Sequence, residues 1–131
     1  MKKTVLMDKY PVYSLQINKD ETTFSSVDAI VTYLQKCIED HPIATYIALF
    51  DHYTHTQSLP DHVINPAIKD AKNLIFCFGK QLPNTQILAA RPRSFGVSEL
   101  EDAFVIDFLE APNEQLSKVM QEWAQSVANK A

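Results

Sequence analysis

The sequence predicts an α+β fold: a two-layer sandwich in which a mostly antiparallel sheet of about five strands carries two long helices on one face. Three observations lead there. Two segments repeat apolar residues with the period of a helix, and five short runs have the length or alternation of strands. The order strand, helix, strand, loop, strand, strand, strand, helix then sets three strands in succession before the closing helix.

The first strand is read at Tyr13, Leu15 and Ile17, which alternate with Ser14 and Gln16 after a short polar start, and Pro11 opens it where strands tolerate proline. Asn18-Lys19-Asp20-Glu21 is a polar break. Ser25 or Ser26 then caps a helix with Asp28 in its first turn. Val27, Ile30, Val31, Leu34 and Ile38 share one face of that helix, and His41-Pro42 ends it because the residue before proline disfavours helical backbone.

The run Ile43 to Phe50 is apolar on both alternating sets, which predicts a central strand covered on both faces. Asp51 to Asn65 reads as a loop or one irregular turn, and Asn65-Pro66 as the start of a short helix. Leu74 to Phe78 is a second buried run, closed by Gly79-Lys80. Gln86 to Ala90 is a third short strand, broken by Arg91-Pro92-Arg93-Ser94. Ala103 to Leu109 is a further strand, with Phe104, Ile106 and Phe108 on one face and Asp107 on the other. Asn113 caps the last helix, whose stripe is Leu116, Val119, Met120, Trp123 and Val127.

At 131 residues, without repeat, linker or low-complexity tract, the chain is expected to form a single α+β domain, 1–131. Its 12 basic and 16 acidic residues give a net charge of -4, with the basic ones scattered singly. No footprint for a phosphate backbone results, so nucleic acid is not an expected partner. No run of about 18 apolar residues and no signal-peptide core is present, so no membrane is expected and a cytoplasmic location is. Cys37 and Cys77 form no CxxC pair; both are expected reduced, with Cys77 packed in the core. Two glycines in the whole chain exclude a dinucleotide fingerprint, a Walker loop and a nucleophile elbow.

Two central strands are apolar on both sets, yet two helices cover only one face. A homodimer packed sheet to sheet is therefore expected.

An apolar strand ending in Phe50-Asp51-His52, then Ile75-Phe76-Cys77-Phe78-Gly79 followed by Lys80-Gln81-Leu82-Pro83-Asn84, resembles the bacterial domain-of-unknown-function 302 proteins. The resemblance spans roughly Phe24 to Glu110. It departs at Tyr53-Thr54-His55-Thr56, where that family usually has small residues, and Arg91-Pro92-Arg93 and the closing helix look peculiar to a narrower group. It implies an α+β fold, is compatible with a dimer, and carries no biochemical role.

Asp51, His52, His55 and His62 are metal-ligand types gathered within twelve residues, but the spacing lacks the glutamate of HExxH and any cysteine pair. The plainer reading has Asp51 orienting the His52 ring or capping the next turn, with His55 and His62 solvated. Arg91 and Arg93 can grip a carboxylate or phosphate. Set next to Asp51 and His52, they would make a pocket for a small anionic ligand; the duller account pairs them with Glu99, Glu101 or Asp102. The expectation drawn from all this is a non-enzymatic, homodimeric ligand-binding or regulatory module, with Asp51, His52, Arg91 and Arg93 at its site. The alternative is a metal-dependent or histidine-based enzyme using Asp51, His52 and His55. No cofactor is named by any motif.

Overall fold

The computed structural model describes residues 1–130. In chain order the elements are β1 (Lys2–Leu6), β2 (Tyr10–Asn18), a 3-10 turn (Lys19–Glu21), α1 (Val27–Glu39), β3 (Ala44–Phe50), α2 (His52–Gln57), β4 (Asp70–Phe78), α3 (Ile87–Ala90), β5 (Arg93–Glu99), β6 (Ala103–Leu109) and α4 (Glu114–Gln125). All six strands join one sheet in the order β1-β2-β6-β5-β4-β3, every neighbouring pair antiparallel. The fold is thus α+β, with six strands where the sequence reading counts about five.

Both long helices form where the periodicity places them. Ser26 caps α1 by accepting the Ala29 N–H at 3.0 Å, and Asn113 caps α4 by accepting the Gln115 N–H at 2.8 Å. Val27, Ile30, Val31, Leu34 and Ile38 of α1 are buried together with Met120, Ala124 and Val127 from α4 and its end. They pack against one set of strand residues: Ile17, Leu74, Phe76, Phe78, Phe95, Val97, Phe104, Ile106 and Phe108. Phe76 stacks on Phe95 at 5.1 Å and Phe78 on Trp123 at 5.5 Å, so aromatic rings fill the centre of this core. Burial of each such ring stabilises the fold by about 1.5–3 kcal/mol.

Several expectations are corrected. β3 is not central: it is the sheet's edge, and Ile47, Leu49 and Phe50 are 50%, 41% and 41% exposed. A register shift between Tyr46 and Ala48 explains its misleading pattern. Tyr46 lies opposite Phe76 and Leu49 opposite Leu74, so the bulge moves the core-facing set from even to odd positions. Both sets are apolar because each faces the core for half of the strand.

Gln86 to Ala90 is not a strand but ends in helix α3, which starts where the Asn84 side chain accepts the Ile87 N–H at 3.0 Å. A short apolar run fits either conformation, and the local cap decides it. Asn65-Pro66 makes a turn rather than a helix, with the Asn65 side chain accepting the Ala67 N–H. α2 occupies part of the stretch read as loop. β5 begins directly after the Arg91-Pro92 break, and the alternation of Phe95 and Val97 with Ser94, Gly96 and Ser98 was its missed signal. β1 is an exposed edge strand; left-handed Met7 and Asp8 close its hairpin, a pair without the glycine or asparagine that usually marks such a turn. Cys77 is half-buried and absent from the core, on the rung opposite Thr45.

The sheet's second face carries no long helix. Its residues alternate with the core set, and α2 with the following loop lies beside one corner, near Ala71. Among the described residues no helix is long and apolar enough to cross a membrane.

Candidate functional site

Antiparallel register assembles the site from residues distant in sequence. Ser14 pairs with Asp107, Asp107 with Gly96, Gly96 with Asn73, and Asn73 with Phe50. One rung therefore crosses five strands on the uncovered face, polar in its middle and ending in an aromatic ring. The Ser14 hydroxyl donates to the Asp107 carboxylate. Asn73 donates its amide to the Ser94 hydroxyl at 3.1 Å and accepts from His52 Nδ1 at 2.9 Å. That bond puts the His52 proton on Nδ1 in the neutral ring and turns Nε2 outward as an acceptor.

Ser14, Asp107, Gly96, Asn73 and Ser94 line a cleft of about 640 Å³. Leu6, Val12 and Leu109 rise on its strand side, and Ala89, Ala90 and Pro92 wall it from α3 and the turn after it, where the Arg91–Pro92 peptide is cis. A concave site with apolar walls and a few convergent polar groups is suited to hold a small molecule. Its chemistry is that of hydrogen bonding: the hydroxyls of Thr4, Ser14 and Ser94, the Asn73 amide and the Asp107 carboxylate, with Arg93 at its border.

Gly96 is part of this lining. Its backbone is extended, and a Cβ added there would meet Asp107 O at 3.6 Å and Asn73 Nδ2 at 3.9 Å, ordinary contact distances. Neither conformation nor crowding demands glycine here. Its effect is to keep the floor of the cleft low.

The residues singled out by sequence are distributed differently. Asp51 caps α2, accepting the Thr54 N–H at 3.0 Å, and its other oxygen lies 3.8 Å from Lys72 Nζ. The bond from the Thr54 N–H holds its carboxyl below the ordinary value against the opposing cost of desolvation, with the Thr54 side chain and Lys72 adding to the lowering. Lys72 also pairs with Asp28, which raises the lysine's own pKa. His52 and His55 flank the Phe50 ring, at 5.2 and 5.3 Å. His62 Nδ1 donates to Leu59 O at 3.0 Å. Among the described residues no three His, Cys, Asp or Glu side chains are gathered to hold a metal ion, so Asp51, His52, His55 and His62 are not brought together as ligands.

Nor do the arginines join His52. Asn73, which holds His52, is three residues from Phe76, the register partner of Arg93, and the two project to opposite faces. Arg93 is buried and donates Nη1 to Ala90 O at 3.1 Å and Nη2 to Leu109 O; Arg91 donates Nη1 to Gln81 O at 2.8 Å. The expected ion pairs with Glu99, Glu101 or Asp102 are not formed: Glu99 pairs with Lys19 at 2.7 Å. Of the cleft's floor, the alternation in sequence places Ser14 and Asp107 away from the core face; their pairing, and the part of Asn73 and Gly96, come only through strand register, which one sequence does not reveal.

An antiparallel α+β protein with a polar rung laid across its uncovered sheet face is the class that fold and site define. The chain belongs to a family of unknown function, DUF6858, whose model matches residues 1–129. No curated protein and no solved structure matches it. This family match lends no support to the narrower likeness to the domain-of-unknown-function 302 proteins.

Proposed function

We propose that this chain is a single-domain, non-enzymatic ligand-binding module of the cytoplasm, its ligand seated in the cleft over the Ser14, Asp107, Gly96 and Asn73 rung. The observation that carries the reading is Gly96, a strand glycine required neither by its backbone nor by its neighbours and lining the cleft between Asp107 and Asn73. His52 acts as a positioning residue, orienting the Asn73 amide toward Ser94 and the ligand.

The module works as a homodimer that closes over the same face. Leu6, Tyr10 and Leu109 stand 56%, 48% and 45% exposed beside the rung, and exposed apolar groups around a polar centre mark interaction surfaces. A second copy laid over them would roof the cleft and shield the ligand from water.

Native mass spectrometry of the untagged protein tests both parts. The expected result is a dimer mass, with a small-molecule adduct that Gly96→Leu abolishes without changing the circular dichroism spectrum. A monomer at micromolar concentration overturns the dimer. A panel of hydroxylated and amine-bearing molecules that shifts the melting of the wild type and Gly96→Leu equally, or neither, overturns the cleft.

A further inference from the structure

A guanidinium taken out of water needs an anion or a full set of acceptors around it. Arg93 has neither. It is 9% exposed, two of its nitrogens donate to carbonyls, its Nε has no partner, and no carboxylate pairs with it or with Arg91 among the described residues. Burial lowers the pKa of the group, the mark of a charge held without support.

Arg91 is brought to the same place by a glycine. Gly79 has φ +116°, and a Cβ there would fall 2.8 Å from Arg91 Nη2. The guanidinium thus lies flat over the turn, steadied by Gln81 O. Both arginines line a pocket of about 220 Å³, enclosed by the end of β4, α3, the start of β5 and the approach to α4. Asn113 at the N-terminus of the twelve-residue α4 also lines it, adding the positive end of a helix dipole.

Its apolar walls include Phe78, Ile87 and Leu116. Of the nearby carboxylates, Glu110 pairs with Lys3, and Glu114 borders a different cleft, beside Lys3 and Lys118, and pairs with neither arginine. Two cations, apolar walls and a small volume define the missing group. We propose that this pocket binds a small organic monocarboxylate with a short apolar body, its carboxylate gripped by Arg91 and Arg93 and its hydrocarbon packed on Phe78, Ile87 and Leu116.

Inorganic phosphate would satisfy the guanidinium groups but leave the apolar walls wet. The site is distinct from the cleft on the uncovered face, even though Arg93 and Ala90 border both, because the Asp107 carboxylate on that floor repels an anion. It stands independently of the function proposed above.

The test uses the full chain with hexanoate and benzoate as probes, and hexan-1-ol and inorganic phosphate as controls, followed by thermal melting and by amide NMR shifts. Hexanoate or benzoate should raise the melting temperature at millimolar concentration and shift amides of residues 78–93 and 111–116, while the controls do not. Arg91→Gln should weaken binding by about tenfold or more, as loss of a charge-assisted bidentate contact does. Arg93→Gln should abolish it, and should that variant not fold, Leu116→Glu, which sets a negative charge in the pocket, is expected to abolish it too. No response to either carboxylate, an equal response to phosphate, or binding unchanged in Arg91→Gln overturns the proposal. Gly96→Leu should leave carboxylate binding intact; its loss there would make the two sites one and overturn the assignment to the arginines.

Discussion

The two faces of this sheet are made from the same strands and read as two different proteins. On one, Phe76, Phe95, Phe104, Ile106 and Phe108 are completely or almost completely buried under α1 and α4. On the other, the neighbouring positions are Ser94, Gly96, Asn73, Asp107 and Ser14, all half-buried at most, with Ser14 hydrogen-bonded to Asp107 and Asn73 to Ser94. The first face spends its side chains on volume, the second on polar atoms held in fixed places. The packed core and the polar rung are thereby separated by the thickness of one sheet.

The separation is broken most severely from the packed side. Phe95→Ala removes a ring stacked on Phe76 at 5.1 Å and edge-on to Phe108 at 5.5 Å, and should cost about 3–5 kcal/mol in urea unfolding. Across the sheet, Asn73→Ala deletes bonds to His52 and Ser94 at a half-exposed position and should cost only about 0.5–1.5 kcal/mol. Equal costs would mean that the polar rung is part of the core and not a surface laid over it.

Gly96→Ala sharpens the contrast through its sign. A Cβ fits there without a close contact, so alanine should stabilise the chain by about 0.4–1 kcal/mol through the unfolded state while weakening ligand binding. A destabilised Gly96→Ala protein would show that the glycine serves packing. The smallest effect concerns Asp51. Its folded pKa is depressed, so its contribution is present above the unfolded value of 3.8 and is lost as pH falls through the lower folded value. Asp51 is largely solvent-facing, which keeps the size small. Wild type should therefore lose stability slightly more steeply than Asp51→Asn as an acid titration passes below pH 3.8, and parallel curves would remove Asp51 from the account.

What could be read in advance follows the same division. The packed face announces itself, because a helix stripe such as Val27, Ile30, Val31, Leu34 and Ile38 and an alternation such as Phe104, Ile106 and Phe108 are local signals. Where a local signal was ambiguous, the reading failed: the bulge in β3 imitates a two-sided strand, and the Asn84 cap turns an apolar run into α3. The histidine cluster drew the eye because its members are neighbours in sequence. The polar rung did not, because Ser14, Asn73, Gly96 and Asp107 meet only once the strands are in register. Arg91 and Arg93 are legible as a pair, while the burial of Arg93 and its separation from His52 depend on which face each strand presents.

The shift between Tyr46 and Ala48 has a consequence for behaviour at high concentration. β3 lies at an open margin of the sheet, with apolar side chains showing and a row of backbone groups free to pair, the arrangement from which fibrils grow. A bulge kinks that margin and adds local twist, so an arriving strand cannot stay in step along its length. The irregularity that disguises β3 in the sequence is also what protects the molecule from polymerising along it.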